Sequence, residues 1–147
     1  MTATLEHPIT NQTVLEKHGI DLSGIEHLDA EIEFVTGRPQ RQGDVLIRPV
    51  VAPISRGEIV PWKGVTVVTG ETQGGNSHIL HALDGECYWT PDPGAATGLP
   101  QGVVTIPDGC TATLIHTQEH NVLGLGAGSY EIKRSREYAG EWRRISD

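Results

Sequence analysis

Few of the residues that usually declare a chemistry are present in this sequence. It has two cysteines, one methionine and one phenylalanine, and aromatic residues make up only 5% of its 147 positions. Cys87 and Cys110 form no CxxC pair, which excludes a thiolate-built zinc ribbon and a disulfide-dense scaffold. A bridge between the two requires neighbouring strands, a point that their spacing leaves open. No apolar stretch reaches the roughly 18 residues of a membrane-spanning helix, and no apolar leader follows Met1. The expected setting is therefore the reducing cytoplasm, away from membranes. Cations are scarce: 11 Lys and Arg stand against 19 Asp and Glu, a net charge of −8. That balance argues against a nucleic-acid binder. A sustained 3.6-residue apolar period is also missing, so helix is expected to be minor.

Glycine and proline are abundant, with 18 and 9 copies. They fall between short β-branched runs, as tight turns between short strands require. Ala30–Val35 reads as a first strand, with Ile32 and Phe34 on one face. Further strands are expected at Val45–Ile47, Val50–Val51, Val65–Thr69, Ser77–Leu83, Glu86–Thr90, Val103–Ile106, Cys110–Thr117 and Ser129–Ser135. Pro49 lacks a donor and belongs at an edge or bulge. Asp84-Gly85 predicts a hairpin joining its two flanking strands, which would set Ala82 against Cys87 and Leu80 against Trp89. Pro91–Gly102 and Gly124–Gly128 read as loops. The expected fold is all-β: a small barrel or jelly-roll-like sandwich preceded by an extended N-terminal arm.

That arm spans residues 1–37, with the β domain at 38–147. A capping-box pattern at Thr13–Glu16, stopped by Gly19, predicts a turn or two of helix, and Ser23–Glu26 offers a second start. The arm's apolar residues are too sparse for a core of their own, so they are expected to pack on something else. Its seven acids stand against Lys17 alone, whereas residues 133–144 carry five cations against Glu137 and Glu141. Two solvated surfaces are the simpler reading. The sharper one docks the acidic arm on the basic segment of its own or a neighbouring subunit.

Four of the seven histidines, His78, His81, His116 and His120, lie in the strand-rich, glycine-rich part. Strand alternation puts His78 on one face with Leu80 and Ala82, and His81 on the other with Ile79 and Leu83. At most one of this pair can then belong to a site. His116–His120 spells HxxEH, but inverted-zincin chemistry needs both histidines on one helix face, and this stretch is strand-like. A peptidase is rejected. What remains is a metal site of His78, His116 and His120, with Glu119 or Cys87 as fourth ligand, suited to zinc or iron. Against it stands the ordinary reading: a strand-end histidine, a turn histidine and a half-buried neighbour of Trp89. The glycine-rich Gly70–Gly75 lacks a P-loop lysine and opens no helix, so phosphate binding is not expected.

Two resemblances bear on these residues. Gly74–Glu86, with His78, His81 and Glu86, and Gly102–Asn121, with Pro107-Asp108-Gly109, His116 and His120-Asn121, resemble the two cupin motifs over about a third of the chain. The first pair is HxxH where cupins have HxH, and His116 lies several residues too far from Gly109. The resemblance implies a jelly-roll-like shape. Gly43-Asp44-Val45-Leu46, the HTQEH stretch and Arg136-Glu137-Tyr138 look like small uncharacterised proteins of actinobacteria and their phages, which implies a virion location if the chain is phage-derived.

The function expected from these features is a non-enzymatic interaction or structural module without a cofactor. It would self-associate or bind a protein partner, as part of a homo-oligomer or larger assembly. The alternatives are a cupin-like metal-dependent enzyme, with Glu119 as acid or base, and a small-molecule-binding barrel with Trp62, Tyr88 and Trp89 at its mouth.

Overall fold

The computed structural model describes residues 9–43, 45–51, 57–68, 77–92, 100–117 and 121–134. Among them the chain forms one helix, α1 (Asn11–Lys17), and eleven strands. These are β1 (Phe34–Val35), β2 (Gln40–Gln42), β3 (Val45–Pro49), β4 (Glu58–Ile59), β5 (Val65–Val68), β6 (His78–Asp84), β7 (Tyr88–Pro91), β8 (Pro100–Ile106), β9 (Thr111–His116), β10 (Asn121–Leu125) and β11 (Gly128–Arg134). Two sheets result, ordered β1-β10-β9-β6-β5 and β2-β3-β11-β8-β7-β4. They pack face to face as an open sandwich and do not close into a barrel.

Alternation builds the core. Leu80 of β6 and Ala112 and Leu114 of β9 turn inward from the five-stranded sheet. They meet Val45, Ile47, Val104, Ile106, Tyr130 and Ile132 from the six-stranded one. Each such aliphatic side chain, fully withdrawn from water, contributes about 1.5–3 kcal/mol. Tyr130 and Ile132 share the inward face of β11, as their i, i+2 spacing predicts. The Tyr130 hydroxyl is within 3.0–3.3 Å of the carbonyls of Gly126, Ala127 and Val35, and accepts from Gly37 N–H at 3.1 Å. It ties β11 to the segment around β1.

The outer face of the five-stranded sheet is apolar too, and residues 9–35 cover it. Val14 and Leu15 of α1 pack with Leu83, Ile115 and Val122, flanked by Ile20, Leu22, Ile25, Leu28, Ile32 and Phe34. The arm's scattered apolar residues thus find their partner on this chain's own sheet.

Several local expectations are corrected. Helix α1 starts at Asn11, because Thr10 caps it by accepting from Thr13 N–H; Thr13 sits inside. Ser23–Glu26 makes turns, with Gly24 at a φ of 75°, and no helix. The first strand shrinks to Phe34–Val35, and Glu31 makes only an isolated bridge to Thr10. Val50–Val51 is not a strand. Pro49 lies within β3, at a place where pairing with β2 has already ended at Ile47, so its missing donor costs nothing. Gly124 belongs to strand β10; a side chain there would collide with the Glu33 carbonyl and Ile32 of the adjoining segment, at 2.7 Å. The Asp84-Gly85 hairpin does not form. β6 and β7 lie in different sheets, and the chain turns the corner between them so that Leu80 and Trp89 enter the core from opposite sides. A turn signal carries the local reversal but not which sheet the next strand joins.

Candidate functional site

Alternation along β6 sorts the histidines into two stacked pairs. His78 faces inward and is paired in register with His116, the last residue of β9. Their rings stack with centroids 4.5 Å apart and planes 10° from parallel, and both residues are buried. His81 faces outward and stacks on His18, the C-cap residue of α1, at 3.9 Å and 19°. His78 and His81 therefore do not share a site, as the alternation requires.

A residue that sequence reading missed orients the inner pair. Gln42, at the end of β2 and buried, reaches across from the six-stranded sheet. Its Nε2 donates to the carbonyls of Leu114 and Asn121, both at 2.8 Å. Two carbonyl acceptors fix which end of the amide is nitrogen, so Oε1 must be the acceptor facing His78 Nδ1 at 2.8 Å. His78 consequently carries a proton on Nδ1, so that in its neutral form the lone pair lies on Nε2. Gly43 follows, with a φ of 58°, in a two-residue link between Gln42 and its partner Val45. A side chain on Gly43 would lie 3.7–3.8 Å from the Cε1 atoms of His116 and His78, so the turn sits directly over the pair. Only Gly43 could have hinted at Gln42, and nothing in the sequence says which strand the amide would reach.

The arrangement resembles the second shell of a metal histidine, in which one ring nitrogen donates to a fixed acceptor so that the other can bind. Two imidazoles in near-parallel planes do not aim their lone pairs at one point, however. One ring would have to rotate before both could hold a single ion at about 2.0–2.1 Å. Among the described residues no three His, Cys, Asp or Glu side chains are grouped to hold an ion. His120 and Glu119 lie outside the described residues, as do Gly70–Gly75, Arg136-Glu137-Tyr138 and nearly all of the basic segment from 133 to 144. Cys87 is not available as a further ligand. It follows the far end of β6, about 20 Å from His78 at strand rise. Burial, with Cys110 adding to it, pushes its thiol up to about 12. Both cysteines are free thiols. Glu86, in the cupin-like pattern, is at that same far end.

The surface feature lies elsewhere. Among the described residues β4 is the outermost strand of its sheet. Val60 N–H bonds the Cys87 carbonyl at 2.9 Å, so by antiparallel alternation the N–H and C=O of Ile59 point away from β7, to the open side. The Ile59 side chain is 53% exposed and Trp62, in the turn that follows, is 71% exposed. Ile59, Val60 and Pro61 line two hollows, of about 520 Å³ toward Trp89 and Val65 and about 250 Å³ toward Lys17 and His18. Tyr88 and Trp89 do not join Trp62 in one mouth. Trp89 is buried in the core, whereas Tyr88 takes the opposite face of β7 and donates to Glu86.

Fold and site together define an all-β, two-sheet sandwich with a buried histidine pair at one end and an apolar open edge. The chain belongs to the family described as a domain of unknown function, DUF8820, whose model matches residues 41–135. Neither the curated proteins nor the solved structures compared with it gave a match. No helix among the described residues is long and apolar enough to cross a membrane.

Proposed function

We propose that this protein is a non-enzymatic interaction module that associates with a second copy of itself through the β4 edge. The observation that carries the reading is the outward backbone of Ile59 beside the exposed Ile59 and Trp62 side chains. An unpaired edge accepts another strand, and pairing with its own copy about a two-fold axis satisfies both chains at once. The exposed aromatic beside it supplies apolar area of the kind interfaces use as anchors. Two free thiols fit assembly in a reducing cytoplasm, or in a virion built there. Light scattering tests this: the wild type should run as a dimer or larger, and Trp62→Asp should shift it toward the monomer. A wild type that stays monomeric at high concentration would overturn the proposal.

A second reading rests on Gln42. Its hold on His78 supports a cupin-like ion site of His78, His116 and His120, taking zinc or iron. Elemental analysis of protein purified without chelators distinguishes the two readings. Stoichiometric metal that is lost in His116→Ala would favour the ion site; none in the wild type would remove it.

A further inference from the structure

We propose that the stacked His18–His81 pair is a pH-sensitive latch: with both rings neutral it holds the N-terminal arm on the sandwich, and with both protonated it releases the arm and uncovers the outer face of the five-stranded sheet. The argument begins with position. His18 closes α1, which carries the arm's two fully buried side chains, Val14 and Leu15. His81 is held fast by the sandwich. It pairs with Thr113 on β9, its ring lies against Gly64, and its Nδ1 is 3.4 Å from the Trp62 carbonyl. Any separation of the rings must therefore move His18 and the helix it ends.

The surroundings offer a charged pair little help. Lys17 on α1 and Glu86 at the β6–β7 corner line the same hollow as His18. Lys17 Nζ donates to the Leu83 carbonyl at 2.8 Å, beside the stack. The other charged groups on the packed segments are Glu16 of α1, Lys63 in the turn before Gly64, and Asp84 at the end of β6. Among the described residues, neither ring is within ion-pair distance of a carboxylate. Both His18 ring nitrogens are buried and, among the described residues, have no hydrogen-bond partner.

The helix C-terminus favours a cation at His18. Burial, the second imidazole and Lys17 outweigh it and hold His18 down at about 4. Burial also lowers His81, offset in part by the Trp62 carbonyl. Because both values fall on docking, the released arm binds more protons than the docked one. Docking is then at full strength above about 6.5, the free-imidazole value, and weakens as pH falls toward 4. Allowing for solvent screening at a partly exposed site, the docking constant should drop by about ten- to a hundredfold over that range.

The test is NMR on the full chain from pH 8 to 3.5. In the wild type, methyl NOEs from Val14 and Leu15 to Ile115 and Val122 should fade below pH 6 while Leu80 and Ile132 core signals persist. His18→Phe, which keeps a stacked ring without a titrating group, should hold the arm at least about one pH unit lower. Three results would overturn the latch: arm contacts intact at pH 4, arm and core lost together, or His18→Phe releasing at the wild-type pH. Should that variant not fold, the wild-type His18 Cε1–H titration decides. A midpoint below 5 supports the latch and one near 6.5 rejects it.

Discussion

Gln42 and His78 lie on different sheets and are joined by a buried 2.8 Å hydrogen bond. The same amide holds two backbone carbonyls of the opposite sheet. One side chain thus fastens the end of the sandwich and sets the tautomer of the histidine it meets.

Replacing Gln42 with Leu keeps the volume but strands the His78 Nδ1–H in the interior and removes two bonds to carbonyls of the opposite sheet. Urea unfolding should show a loss of about 2–4 kcal/mol, since each buried polar group left unsatisfied costs roughly 1–3. A loss below about 0.5 kcal/mol would mean that the bridge does not hold the sheets.

Tyr130→Phe removes a buried hydroxyl that faces three carbonyls and one N–H. Chemical denaturation should record a cost of about 1–3 kcal/mol. The ring itself stays in the core, so the m-value should not change.

Gly64 has a φ of 87°, and a methyl group there would come within 2.8 Å of the His81 ring and Ile79. Gly64→Ala should destabilise by about 1–3 kcal/mol through backbone strain and overpacking. Thermal melts would reveal it, and an unchanged midpoint would contradict the clamp on His81.

Cys87 is buried, with a thiol raised to about 12, so the unreactive protonated form dominates at pH 8. Mass spectrometry after iodoacetamide should find Cys87 unmodified in native protein and alkylated once denaturant is added. Rapid native labelling would contradict its place in the core.

The all-β class was legible because glycine punctuation and β-branched runs are local signals. The opposite faces of His78 and His81 were legible because alternation is local as well. What was not legible is non-local. Asp84-Gly85 marks a reversal, yet the chain crosses there from one sheet to the other, driven by Leu80 and Trp89 both seeking the interior. Gln42 looked like one polar residue in a polar stretch, because its partners come from β6, β9 and β10. Gly124 read as a loop residue because nothing in its own neighbourhood announces the close approach of Glu33. His18 carries no local signal for the same reason, since its ring partner is 63 positions away.

The Ile59 N–H, pointing to the open side of β4, is the group on which the association proposal most depends. Ile59→Pro removes that donor at an edge position that tolerates proline, and leaves the bonds to β7 in place. Sedimentation velocity over a wide concentration range should show the wild type associating and Ile59→Pro folded but monomeric. If folded Ile59→Pro associates as strongly as the wild type, the β4 edge is not the interface.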